Sequence, residues 1–80
     1  PKRVLILGAG RSSSSLIRHL LQHAAQEGYG VRIGDLDVNL ANRKAEGHPA
    51  ATAFALDAGN PEARRNEIAQ ADLVISMLPA

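Results

Sequence analysis

The sequence of 80 residues contains no cysteine and no tryptophan, and Tyr29 and Phe54 are its only aromatic residues. Without cysteine there is neither a disulfide framework nor a thiolate metal site. Two rings do not make the row of stacking platforms that single-stranded nucleic acid needs. An excess of one charge is also lacking: nine lysines and arginines against eight aspartates and glutamates leave a formal charge of +1. The basic residues are scattered rather than gathered into the stripe that a phosphate backbone attracts. No apolar run approaches the roughly 20 residues of a membrane span, and no basic segment leads into an apolar one at the start as in a signal peptide. These absences set the expectation of a soluble, cytoplasmic protein with neither a nucleic-acid nor a membrane partner. A chain this short forms one domain at most and buries only about 60% of its unfolded surface, so its core must be thin. It starts at Pro1 and stops at "ISMLPA", just after a strand pattern, and so reads as a fragment of something longer.

What is present is an alternation of two periodicities. "VLIL" after Arg3 is a continuous apolar run suited to a strand buried on both faces, and Gly8 ends it. From Ser14 the pattern becomes helical, with Leu16, Ile17, Leu20, Leu21, Ala24 and Ala25 on one face, and Gly28 and Gly30 punctuate its end. "VRIG" from Val31 is a second strand. Asp37 then caps a helix carrying Val38, Leu40, Ala41 and Ala45, which Gly47 and Pro49 stop. "ATAFAL" from Ala51 is a weaker third strand, because alanine has low strand propensity. "NPE" places Asn60 as N-cap, Pro61 at the first helical position and Glu62 in the first turn of a helix with a weak apolar face, which belongs on the surface. "DLVISML" from Asp72 is a fourth strand. The order βαβαβαβ predicts an α/β fold with a parallel sheet and right-handed crossovers. Reversal after the third strand gives strand order 3-2-1-4, the first half of a doubly wound, Rossmann-like sheet. The fourth strand would then lack an outer neighbour. Val74, Ile75 and Leu78 are expected to face solvent or another chain, with self-association through that edge.

"ILGAGRSSSSLI", residues 6 to 17, is the informative stretch. Strand, then G-x-G, then helix, inside a βαβ unit of roughly 30 residues, is the context in which the dinucleotide fingerprint has physical meaning. Gly8 permits the tight turn, Gly10 lets backbone approach a pyrophosphate, and the helix N-terminus offers unpaired N–H groups. The third glycine of the motif falls at Ser13, a small residue that still allows close helix–strand packing. Serine is poor inside a helix but good at its start, where the hydroxyl can meet an unpaired N–H or an anion. Ser12 and Ser13 are therefore placed against phosphate oxygens, with Ser14 and Ser15 entering the first turn.

A carboxylate about 20 residues beyond the glycines, at the end of the second strand, is the second diagnostic feature. Asp35 stands there, able to accept from the adenosine ribose hydroxyls and to repel a 2′-phosphate. This favours NAD over NADP. Asp37 takes the role if the register is shifted, and Arg11, Arg43 and Lys44 are the side chains that could instead favour NADP. Asp57, after the third strand, either approaches the adenine or shapes the turn before "GNPE". "SMLP" ends the fourth strand at the crevice, where the backbone of Met77, Leu78 and Pro79 would meet the ligand. His19 and His23 stand four apart on one helix face without an acidic neighbour to complete a metal site, and read as solvated. No nucleophile–base–orienter set is present.

With "RVLILGAGRSSSSLIRHLL", "VRIGDLD" and "ADLVISMLP" at suitable distances, residues 1–80 resemble the N-terminal nucleotide-binding part of the saccharopine dehydrogenase and reductase family. The resemblance implies an NAD(P)-dependent oxidoreductase of lysine metabolism, acting on the CH–NH group of a secondary amine that joins two amino acids. The cofactor positions it carries over are Gly8, Gly10, Arg11, Ser12, Ser13, Asp35, Asp57 and Met77 to Pro79. It places the catalytic residues, the pocket for the small amino-acid-derived substrate and the rest of the domain beyond this chain. Residues 1–80 alone should then bind a dinucleotide weakly and catalyse nothing. A second reading is a nucleotide-sensing regulatory domain, similar to the NAD-binding modules attached to potassium-uptake systems, which share the glycine motif and strand-end aspartate. A third, a short-chain reductase, requires a Tyr-x-x-x-Lys that the sequence does not contain.

Overall fold

The computed structural model describes residues 2–8, 14–57 and 59–77. Along the chain run β1 (Lys2–Leu7), α1 (Ser14–Glu27), β2 (Tyr29–Asp35), α2 (Val38–Ala45), β3 (Ala51–Ala55), α3 (Pro61–Gln70) and β4 (Leu73–Ser76). The strands form one parallel sheet in the order β3-β2-β1-β4, as the alternation predicts. Leu7 pairs with Gly34 and with Ser76, and Gly34 pairs with Phe54, so the carboxyl ends of all the strands lie in one row.

Side chains alternate across a strand. Val4, Ile6, Val31 and Ile33 therefore share one face, where Ile17 and Leu21 of α1 and Ala41 and Ala45 of α2 bury them. The opposite face carries Leu5 and Leu7, joined by Leu56. There α3 contributes Ala63 from its inner side and buries no residue completely, as its weak apolar pattern foretells. Both predicted caps are present. Asp37 Oδ1 accepts from the N–H groups of Asn39 (3.0 Å) and Leu40 (3.3 Å), and Asn60 Oδ1 from those of Glu62 (3.1 Å) and Ala63 (3.2 Å).

The structure differs from the sequence reading at the starts of two strands. The second strand starts at Tyr29 rather than Val31 and takes in Gly30, because Lys2 and Arg3 pair with Tyr29 and Gly30. The Tyr29 hydroxyl donates to the Leu20 carbonyl of α1, and burial, with a smaller effect of the Glu27 carboxylate, pushes its pKa up. The fourth strand omits Asp72, which instead clamps the start of the β1–β4 pairing. Its carboxylate accepts from the Arg3 N–H (2.7 Å), while its own N–H donates to the Arg3 carbonyl (2.8 Å). At the β4 edge, Val74 and Ile75 are half-buried against opposite faces of the sheet, and Leu73 is the exposed apolar side chain, at 52%. Leu78 lies outside the described residues.

Candidate dinucleotide site

Gly8 ends β1 at the row of strand carboxyl ends, with φ of 94°, a region that side chains other than glycine's rarely allow. Its N–H donates to the Gly34 carbonyl (2.7 Å), which ties the end of β1 to β2. Beside it is a cavity of about 240 Å³. Buried Leu7, Gly34 and Leu56 form its floor, and Asp35, Leu36 and Asp57 its more exposed walls. Whole-ligand pockets run from roughly 300 to 1,000 Å³, so a cavity of this size takes part of an extended molecule. Gly34 is what allows the floor to form: a Cβ there would stand 2.8 Å from Phe54 Cζ and 3.1 Å from Leu56 Cβ.

The carboxylates are held by the backbone that follows each of them. Asp35 closes β2, half-buried, and its Oδ1 accepts from the Asp37 N–H (2.8 Å). Asp57 Oδ1 accepts from the Gly59 N–H (2.9 Å), and the Asp57 carbonyl from the Asn60 N–H (2.9 Å). Asp57 thus shapes the turn before α3 and also lines the cavity. Gly8, Asp35 and Asp57 are thereby brought to one place. Met77 is at the same end of the sheet, but its N–H donates to the Leu7 carbonyl (2.8 Å) and its side chain packs on the core. Gly10, Arg11, Ser12, Ser13, Leu78 and Pro79 lie outside the described residues.

Sequence reasoning passed over Gly34, Leu36 and Leu56. A glycine inside a strand, which signals a close approach, was the available clue for the first. Leu36, 76% exposed between two aspartates, leaves no periodic trace. His19 and His23 are exposed with ring centroids 4.6 Å apart, and no group of three metal-ligating side chains occurs among the described residues.

Residues 4–80 match the family model described as the saccharopine dehydrogenase NADP binding domain. The chain belongs to this family. Among solved structures it is similar to an apo, histidine-tagged saccharopine dehydrogenase (L-Glu forming) from Saccharomyces cerevisiae. The two are 28% identical with a TM-score of 0.81, and the match covers 99% of this chain but 17% of the yeast one. No curated protein matches the sequence. Membership of the saccharopine dehydrogenase family supports the dehydrogenase reading over a regulatory module or a short-chain reductase.

A nicotinamide dinucleotide fits the described residues. Gly8 would allow the turn below a pyrophosphate, Asp35 would offer an acceptor for ribose hydroxyls, and Leu7 and Leu56 would form an apolar bed. The family's description names NADP, against the NAD preference read from Asp35. The basic residues of α2 do not reconcile the two. Arg43 and Lys44 occupy its last turn and line a groove with Arg18 and Glu46. Six residues of helix beyond Asp37 correspond to about 9 Å of rise, away from the strand ends.

Proposed function

We propose that residues 1–80 form the N-terminal part of the dinucleotide domain of an oxidoreductase of the saccharopine dehydrogenase type, working in the cytoplasm in lysine metabolism. Its substrate would be a secondary amine joining two amino acids, bound by residues other than these. When bound, the nicotinamide supplies hydride transfer to or from the carbon that carries the amine nitrogen. This chain's own residues do the holding. Gly8 lets the loop pass beneath the pyrophosphate, and Arg11, Ser12 and Ser13 meet its oxygens. Asp35 accepts from the adenosine ribose hydroxyls, which makes NAD the cofactor, and Leu36, Leu56 and Asp57 surround the base.

The observation that carries the reading is the meeting of Gly8, Asp35 and Asp57 around one cavity at the strand ends, in a chain of this family. Asp35→Ala should weaken NADH binding by about 1 to 3 kcal/mol, the cost of leaving buried hydrogen-bonding groups unpaired. Fluorescence titration of NADH measures this, and unchanged affinity would remove Asp35 from the site. Failure of NADH and NADPH alike to bind would remove the function.

A further inference from the structure

A second cavity, of about 360 Å³, opens where β1, β2 and β4 begin, at the opposite end of the sheet from Gly8. It falls within the size range of sites that hold a whole small molecule. Its walls follow from strand register. Lys2 pairs with Tyr29 and Val4 with Leu73, so these four side chains leave the sheet on the face where α1 packs. α1 supplies Leu20 and Glu27, and Asp72 closes the rim ahead of β4. We infer that this cavity binds an aliphatic α-amino acid as its zwitterion. The side chain lies on Val4, Leu20 and Leu73, the ammonium faces Glu27 and Asp72, and the carboxylate faces Lys2.

The floor is apolar. Val4 is buried, Leu20 half-buried and Leu73 half open to water, an area that a branched aliphatic side chain removes from solvent. The rim carries both signs of charge, and they do not neutralise each other. Neither the Lys2 nor the Glu27 side chain has an ion-pair or hydrogen-bond partner among the described residues. Asp72 Oδ2 accepts from the Arg3 N–H (2.7 Å), which fixes the carboxylate and leaves Oδ1 for another donor.

Glu27 also stands against local preference. It ends α1, where the helix dipole is negative and cations are favoured, and no basic residue occupies that last turn. Sequences tend to break such local rules at functional sites. An incoming ammonium supplies the missing cation to Glu27 and the helix end together. An amine alone would leave Lys2 without a partner, and a carboxylic acid alone would leave Glu27 without one; a molecule with both charges on one carbon serves both sides. The Tyr29 hydroxyl is spent on the Leu20 carbonyl, so Tyr29 is a wall of the cavity rather than a donor to the ligand.

Tyr29 is the sole tyrosine of a sequence without tryptophan, so intrinsic tyrosine fluorescence reports on this cavity. The test titrates the purified protein with L-leucine, with isoamylamine, which lacks the carboxylate, and with isocaproate, which lacks the ammonium. Leucine should give a saturable change and bind about two- to fivefold more tightly than either, the scale of charge contacts that stay partly in water. Lys2→Met should weaken leucine by a similar factor and leave isoamylamine unchanged. Glu27→Gln should weaken leucine and leave isocaproate unchanged. Because Glu27→Gln takes a carboxylate away from the negative end of α1, its thermal stability should not fall, which separates lost binding from lost folding. No saturable change with leucine overturns the inference, and so does isoamylamine binding as tightly as leucine, which would make this a site for simple cations. Calorimetric titration of leucine in the presence of NADH should give the affinity found without it, since the two cavities are at opposite ends of the sheet; competition overturns the inference. Leucine binding in a protein that fails to bind NADH would support it while removing the dinucleotide function, so the two readings fail separately.

Discussion

On one face of the sheet, α1 and α2 lay Ile17, Leu21, Ala41 and Ala45 onto Val4, Ile6, Val31 and Ile33; on the other, α3 offers Ala63 and no fully buried residue. The first face is held by apolar area removed from water, which is non-directional and large in sum. The second relies on a few directed contacts. Arg32 lies over the Phe54 ring, 4.4 Å from its centroid, and reaches Glu67 Oε1 (2.8 Å) and Oε2 (3.3 Å), linking β2, β3 and α3. The candidate site draws its floor, Leu7 and Leu56, from this thinly covered face. Ligand sites are commonly drawn from the less stable parts of a fold, where local adjustment costs little. The well-packed face serves as the frame, and Asp35 follows directly from its central strand β2.

The largest difference between the faces should appear on truncation at the frame. Ile33 has no exposed surface and packs between β1, β3 and the helices. Ile33→Ala should cost about 2 to 5 kcal/mol through lost transfer energy and an unfilled cavity. Urea denaturation measures it. A loss under about 1 kcal/mol would mean that this face, too, is loosely packed, since well-packed interiors register even one lost methylene.

Next in size is Gly34→Ala, which sharpens the comparison from the thin side. The added Cβ would meet Phe54 Cζ at 2.8 Å and two atoms of Leu56 at 3.1 Å, so the Phe54 ring has to move and Leu56 has to give. Overpacking of this kind costs about 1 to 3 kcal/mol. Because Leu56 floors the cavity, NADH affinity should fall together with stability. A stability loss without a change in affinity would separate the cavity from the cofactor.

Asn60→Ala tests how far α3 depends on its own ends. With so little buried area, the helix needs the bonds from Asn60 Oδ1 to Glu62 and Ala63. Their removal should cost about 1 kcal/mol. Local hydrogen exchange in α3 should rise while exchange in β1 and β2 stays slow. Uniform acceleration would show that the two faces unfold as one unit.

These elements also show what the sequence could and could not reveal. The strand order, the helix face of α1 and the caps Asp37 and Asn60 were legible because each rests on local chemistry: apolar period, side-chain oxygen, proline at the first turn. The glycine after β1 and the aspartate after β2 were legible for the same reason. The start of β2 at Tyr29 was not, because it is set by pairing with Lys2 and Arg3, residues far away in the chain. Leu36 and Leu56 escaped as wall and floor because a cavity at strand ends is made by register, not by period. The distance of Arg43 and Lys44 from Asp35 likewise depended on which turn of α2 they occupy.

The smallest expected effect lies in the ion pair that joins α3 to β2. Glu67 is the more buried partner, with 16% of its side chain exposed against 41% for Arg32, so the pair is partly screened by water. Exposed or half-exposed pairs of this type contribute about 0.2 to 1 kcal/mol, less as salt rises. Glu67→Gln keeps an acceptor for Arg32 and leaves the guanidinium over Phe54, a contact itself worth about 0.5 to 1 kcal/mol at such sites. The variant should therefore lose less than about 1 kcal/mol, and the loss should shrink between low and high salt. A double-mutant cycle with Arg32→Gln isolates the pair from the stacking. A coupling well above 1 kcal/mol that ignores salt would make the thin face electrostatically rigid, and the cavity floor with it, because Phe54 and Leu56 of the same segment both pack on Gly34.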